Sequence, residues 1–135
     1  MRNIIVVVAL AIALLAPARA ADDAAPAKAL IAAQAEALSR DDAAGAYALA
    51  APGIKNLFPD PAGFMAMVRG SYAPVYRHKS FDFGEASVVD GRVQQKVRIV
   101  DADGVPWDAL YTVETQPDGS LKISGCLLLK VGQSV

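Results

Sequence analysis

The chain has one histidine and one cysteine, and the histidine is the first side chain to consider for chemistry. His78 could work as a general acid or base near neutral pH if the carboxylate of Asp82 oriented it. On an extended strand, however, their Cα atoms would lie about 13 Å apart, at roughly 3.3 Å per residue, so they would not touch without a bulge. The pattern therefore favours a solvated strand edge, and an enzyme using His78 or Asp82 in a pocket is the alternative.

Cys126 is the second candidate, because a thiol can act as a redox nucleophile when a nearby cation lowers its pKa. The segment from Gly125 to Leu129 is apolar and is predicted as a central strand, where a free cysteine behaves as a small buried hydrophobe. We therefore expect an inert thiol. A single cysteine allows no intrachain disulfide, and with one histidine it leaves structural zinc without its usual ligands.

Asp101 and Asp103 alternate like the first ligands of a calcium loop, but the closing glutamate of such a loop is missing. A β-turn ending in Gly104 is the favoured interpretation, since Asp and Gly are typical turn residues. The chain has no Ser-His-Asp, P-loop or dinucleotide signature. We assign no catalytic residue, no metal site and no cofactor.

An aromatic group on the predicted sheet is the best candidate for a ligand or partner site. Trp107 and Tyr111 lie four residues apart on one strand, with Phe83 across from them and Arg98 between, an arrangement that suits an apolar or planar ligand. Plain core packing of these side chains is the competing interpretation. The predicted site is therefore Phe83, Arg98, Trp107 and Tyr111.

The elements that position these residues follow from periodicity and from capping signals. Helical spacing predicts a first helix from Pro26 to Ser39, after a frayed start. The further helical segments are Ala43–Ala50, capped by Asp41 or Asp42, a short turn at Ile54–Phe58, and Ala62–Arg69 after Asp60-Pro61. Two-residue periodicity and three Asp-Gly turns then predict antiparallel strands near Val75–Val89, Arg92–Asp101, Val105–Gln116 and Ser120–Val131.

All helices precede all strands, so the sequence predicts an α+β domain with helices on one face of a curved, cone-like four-stranded antiparallel sheet. Hairpin loops of even length would give the sheet an aliphatic face and an aromatic, charged face. The aliphatic face would hold Ala86, Val88, Val93, Gln95, Val97, Ile99, Leu110, Thr112, Ile123, Leu127 and Leu129. The aromatic face would hold Phe81, Phe83, Glu85, Lys96, Arg98, Trp107, Tyr111, Val113, Cys126 and Leu128.

The N-terminus has the three parts of a cleavable signal peptide: Arg2, an apolar run from Ile4 to Ala16, and the small-residue site Ala18-Arg19-Ala20. The run is shorter than the roughly 20 residues of a membrane-spanning helix, so we expect no stable membrane anchor. Cleavage after Ala20 would leave residues 21–135 as one domain in the periplasm or outside the cell. Its 11 basic and 14 acidic residues argue against nucleic acid as a partner.

Residues 31–129 resemble a bacterial family of small secreted proteins known as a domain of unknown function (family 4864). The resemblance is carried by Gln34, Asp41-Asp42, Ala50-Ala51-Pro52-Gly53-Ile54, Tyr72-Ala73-Pro74-Val75, Asp101-Ala102-Asp103-Gly104, Trp107, Leu110-Tyr111 and Ile123-Ser124-Gly125-Cys126. More distantly, paired helices followed by a meander resemble the nuclear transport factor 2-like cone fold, which hosts enzymes, carriers and dimerisation modules alike.

These resemblances imply an architecture and no activity. From the residues we expect an exported, noncatalytic domain whose aromatic sheet face binds a small apolar ligand or a protein partner, which includes a second copy of the chain.

Overall fold

The computed structural model describes residues 16–132, and within them helices precede a four-stranded antiparallel sheet of order β1-β2-β3-β4. The helices are α1 Ala16–Ser39, α2 Ala43–Ala48, α3 Pro52–Leu57, α4 Pro61–Ser71 and α5 Ala73–Tyr76. The strands are β1 His78–Val89, β2 Arg92–Asp101, β3 Pro106–Thr115 and β4 Leu121–Lys130. The predicted α+β fold class is confirmed.

Two helix starts follow the capping signals of the sequence. The Asp42 carboxylate accepts a hydrogen bond from the Gly45 amide at 2.9 Å, at the start of α2. Asp60 does the same for the Gly63 amide at 2.7 Å, and Pro61 follows it as the first residue of α4. These caps satisfy amide groups that a helix leaves without partners at its first turn.

Two helical segments differ from the prediction. Helix α1 begins at Ala16, ten residues earlier than expected, and contains Pro26 in its interior. The alanine-rich composition before Pro26 favours helix enough to continue through it. A short helix, α5, with Pro74 in its first turn, occupies the predicted start of the first strand, so β1 begins at His78 instead of Val75. None of the described helices is long and apolar enough to cross a membrane.

The three Asp-Gly turns form two kinds of hairpin. Asp90 and Gly91 both have positive φ, 51° and 75°, and form a two-residue loop between β1 and β2. The other two loops have three residues, because the Asp101 amide bonds to the Val105 carbonyl and the Gln116 amide bonds to the Ser120 carbonyl. In each of these loops only the final glycine has a positive φ.

The three-residue loops make the predicted division of the sheet faces wrong. They place Ile99 opposite Trp107 and Gln95 opposite Tyr111, so aromatic and aliphatic side chains share one face. Bulges at Gly84-Glu85 in β1 and at Ser124 in β4 shift the register further. The face under the helices holds Phe81, Phe83, Ala86, Val93, Gln95, Val97, Ile99, Trp107, Ala109, Tyr111, Val113, Ile123, Cys126 and Leu128.

We call the other side of the sheet the open face; it carries Lys96, Arg98, Leu110, Thr112, Leu127 and Leu129. The core lies between the covered face of the sheet and the helices. Ile31 and Leu38 of α1, with Phe64 and Val68 of α4, are buried in the same cluster as the sheet residues. Burial of this apolar surface is the main force that holds the helices on the sheet.

Candidate functional site

The four residues of the predicted aromatic site do not lie on one face. Phe83, Trp107 and Tyr111 are on the covered face, where they belong to the core or pack against it. Arg98 lies on the open face, where its Nε donates to Asp108 Oδ1 at 2.7 Å. Both members of this ion pair are more than half exposed. The arginine is therefore paired with a carboxylate and does not lie over the aromatic rings.

Trp107 is fixed to the loop between β2 and β3. Its Nε1 donates to Asp101 Oδ2 at 2.9 Å, while Asp101 Oδ1 accepts from the amides of Asp103 and Val105, both at 2.9 Å. The bond from Trp107, followed by the bond from the Val105 amide, holds the pKa of Asp101 below its usual value. The predicted turn at Asp101–Gly104 is confirmed, and Asp101 and Trp107 act together in closing it.

His78 and Asp82, the alternative catalytic pair, lie on different sides of β1. The His78 ring packs against Phe81, with 5.2 Å between ring centroids, and Nδ1 is 2.8 Å from the Val75 carbonyl oxygen. Asp82 is exposed and lies opposite Arg98 in the register of the sheet. Because the two side chains face apart, the structure does not assemble them into an acid–base pair.

An apolar cavity of about 420 Å³ lies between the helices and strands β3 and β4. One face of α4 forms a wall, through residues at the i, i+3, i+4 and i+7 positions of an amphipathic helix. The cavity is lined by Gln34 and Leu38 of α1, Ile54, Leu57 and Phe58 at α3, Phe64, Met67, Val68 and Ser71 of α4, Tyr72, Val75, and Tyr111, Ile123, Gly125 and Cys126 of the sheet.

Helix α3 borders the mouth of this cavity. It begins at Pro52 and has no fully buried residue, and its Leu57 side chain is 76% exposed although it lines the cavity. The Tyr47 hydroxyl donates to the Phe58 carbonyl at 2.7 Å and holds the end of this helix in place. The cavity is therefore open to solvent beside a large apolar side chain.

Polar groups meet at the sheet side of the cavity. The Tyr72 hydroxyl donates to the Cys126 carbonyl at 2.8 Å, and Tyr111 lies directly opposite Cys126 in the sheet. Burial raises the pKa of the Cys126 thiol to about 12, and the neighbouring Tyr111 hydroxyl only partly opposes that rise. Burial also raises the pKa of both tyrosines, that of Tyr111 well above its usual value. All three side chains are therefore protonated and uncharged at neutral pH.

A second polar cluster, outside the cavity, joins three helices. Asp41, at a positive φ of 59°, pairs with Arg69 of α4 at 3.1 Å and with Arg77 at 3.2 Å, and it accepts a hydrogen bond from the Tyr76 hydroxyl. The bonds from Tyr76 and Arg69 lower the pKa of Asp41. Arg77 also donates to the Ser39 carbonyl at the end of α1, at 3.0 Å. Because its charged groups bind one another, this cluster is structural.

Sequence reasoning found part of the cavity and missed the rest. The helical spacing of Phe64, Met67 and Val68 indicates one apolar face of the predicted helix Ala62–Arg69, and the structure places these residues on the cavity wall. Tyr72 and Leu57 were not predicted as site residues. Their role depends on where α3 and the α4–α5 junction lie over the sheet, which no local pattern encodes.

Residues 20–134 match the family described as a domain of unknown function (DUF4864). No curated protein and no solved structure matches the chain.

Proposed function

The chain belongs to this family of unknown function, and we propose that it is an exported, noncatalytic protein that binds a small apolar molecule in the cavity beneath α3 and α4. The observation that carries the proposal is the cavity itself. Its volume of about 420 Å³ is within the range of small-molecule sites. Its walls are mostly apolar side chains with a few polar groups among them, which is the usual composition of such sites.

A small ligand fits the covered face better than a protein partner does. Tyr111 is almost fully buried beneath the helices, so a macromolecule could reach it only if the helices moved away. A protein partner, or a second copy of the chain, would instead have to use the open face. Leu127 and Leu129 are 56% and 47% exposed there. That contact is the second candidate function.

The chemistry of the cavity favours binding over catalysis. A thiol with a pKa of about 12 is almost entirely protonated at neutral pH and is a poor nucleophile. His78 and Asp82 are not among the residues that line the cavity. Its walls therefore offer hydrogen bonds and apolar contacts, without a group that would gain or lose a proton near pH 7.

Export is supported by two observations. The first residues have the pattern of a signal peptide that ends at Ala20. The family match begins at residue 20, which is where the signal peptide would end. Residues 1–15, which hold most of that pattern, lie outside the described part of the chain.

The binding proposal is tested with N-phenyl-1-naphthylamine, an uncharged apolar dye whose fluorescence rises in apolar surroundings. Ser71 lines the cavity but is exposed, so Ser71→Trp should fill the mouth without disturbing the core. We expect the unchanged protein to bind the dye and Ser71→Trp to lose at least about 1.4 kcal/mol of binding free energy, which is roughly tenfold in affinity.

Ala66→Trp is the matched control, because Ala66 is exposed on the same helix and does not line the cavity. It should bind the dye as the unchanged protein does. Equal binding by both tryptophan variants would place the dye elsewhere and would contradict the proposal, as would failure of the unchanged protein to bind.

A further inference from the structure

We infer that the cavity selects an uncharged ligand, an apolar molecule that carries a neutral hydrogen-bonding group such as a hydroxyl, over the corresponding carboxylate or amine. This inference rests on the proposed function and adds the chemical class of the ligand. It follows from the types of side chain on the cavity walls and from the contacts that the nearby charged residues make outside the cavity.

None of the cavity-lining side chains in the described part of the chain is Asp, Glu, Lys, Arg or His. An ion that entered would lose its water of hydration and would find no opposite charge, which is far more costly than burying a neutral polar group. A neutral group needs only one hydrogen-bond partner to offset its burial. The cavity walls therefore select ligands by their charge in addition to their shape.

Several charged residues on the same elements are engaged elsewhere. On α3, the Lys55 ammonium lies 5.3 Å from the centroid of the Tyr47 ring. On α4, Arg69 pairs with Asp41, and on β4 the Lys122 ammonium donates to the Ala48 carbonyl at 3.0 Å. Other charges on the lining helices and strands form the pairs Glu36–Arg40, Glu114–Arg92 and Asp108–Arg98. Each of these contacts holds a charge away from the cavity.

Neutral hydrogen-bonding groups are present on the walls. Ser71 offers a hydroxyl near the mouth, and Tyr72, Tyr111 and Cys126 are grouped on the sheet side. Gln34 is buried in the wall and donates to the Ala46 carbonyl at 3.2 Å, which fixes the orientation of its amide. A ligand with an apolar body and one hydroxyl could therefore be both buried and hydrogen-bonded.

The test compares octanol, octanoate and octylammonium as competitors of N-phenyl-1-naphthylamine, because they share one chain and differ in the charge of the head group. At about pH 7 we expect octanol to displace the dye and both ions to bind roughly a hundredfold more weakly or worse. Equal displacement by octanol and octanoate would overturn the inference while leaving the proposed function intact. If neither the dye nor octanol binds, the proposed function itself fails.

The pH dependence gives an independent readout on the unchanged protein. A carboxylic acid has a pKa of about 4 to 5, so the uncharged fraction of octanoic acid rises about tenfold for each pH unit from about pH 7 to about pH 5. Its apparent affinity should rise in proportion, since only the neutral acid binds. Octanol is the control and should bind equally across this range. A flat profile for octanoic acid would contradict the inference.

Two substitutions test whether the absence of a charged side chain in the cavity wall sets the preference for an uncharged ligand. Met67→Arg places a cation in the wall and should give octanoate the higher affinity at about pH 7, whereas Ala66→Arg, on the same helix outside the cavity, should keep the preference for octanol. The same preference in both variants would show that a local charge does not set the selectivity. If Met67→Arg does not fold, the pH comparison on the unchanged protein decides the matter.

Discussion

Cys126 is the residue whose environment is most clearly defined. The sequence predicts burial without a lowered pKa, and in the structure burial raises the pKa of the thiol while only the Tyr111 hydroxyl opposes the rise. Cys126 lies on β4, which is an edge strand of the sheet, whereas the sequence predicted a central strand. Its outer side is nevertheless covered, by a bridge from Ala50 to Ile123 and by the Tyr72 hydroxyl on the Cys126 carbonyl.

The reaction of Cys126 with iodoacetamide should therefore be slow in the native protein and fast after denaturation in urea. Only the thiolate reacts, so the native rate should rise about tenfold per pH unit until about pH 12, while the unfolded chain levels off near the ordinary value of 9.0. Mass spectrometry follows the labelling at this single cysteine. Rapid native labelling at neutral pH would show a lowered pKa and would restore the redox hypothesis.

At the scale of elements, the bulge in β1 depends on one buried amide. Gln95 is fully buried, and its Nε2 donates to the Gly84 carbonyl within the bulge at 3.0 Å and to the Lys96 carbonyl on β2, opposite the bulge, at 2.8 Å. Its Oε1 has no hydrogen-bond partner in the described part of the chain. The amide group therefore stabilises the bulge, and the bulge places Phe83 on the covered face.

Gln95→Leu should lower the free energy of unfolding by about 1 to 3 kcal/mol, because the bulge carbonyls lose their donor inside the protein. Urea denaturation measures the change. The matched control is Gln94→Leu, on the open face of the same strand, which should change stability by less than about 0.5 kcal/mol. Equal effects of the two substitutions would show that the amide of Gln95 contributes nothing to the bulge.

The bulge and the hairpin loops explain why the sheet faces were predicted incorrectly. The predicted faces require every Asp-Gly turn to have a loop with an even number of residues, and this holds for Asp90-Gly91 alone. Pro117 indicated a three-residue loop at the third turn. Proline has a fixed negative φ, which suits the second residue of a type I turn, and the positive φ that closes the loop then falls on Gly119. The loop ending at Gly104 has no such local marker.

The starts of α2 and α4, by contrast, could be predicted because their determinants are local. Asp42 and Asp60 cap the helices that follow them through contacts within three residues. The cavity could not be predicted, since it depends on how α3 and α4 lie over β4. Those contacts join Tyr72 to Cys126 and Ala51 to Ile123, across more than fifty residues of sequence.

For the whole molecule, the order of the elements determines the layering, as predicted. Because the helices all come first and the strands form a meander, one face of the sheet is covered and the other stays open. The open face carries ion pairs, including Arg98–Asp108 and Arg92–Glu114, beside the exposed Leu127 and Leu129. A small ligand and a protein partner would therefore use opposite sides of the sheet.

The proposed export would have a structural consequence for α1, because this helix begins at Ala16 and extends across the proposed cleavage site. Cleavage after Ala20 would remove about one turn of this helix. Ala24, Ala27 and Ile31 are buried in the core and lie beyond the site, so the shortened helix keeps its packing. We expect the mature protein, recovered from the periplasm of its host, to begin at Ala21 and to unfold cooperatively in urea. Intact-mass measurement identifies the N-terminus directly. A chain that keeps Met1 in the membrane fraction would contradict the prediction, because the segment would then be an anchor.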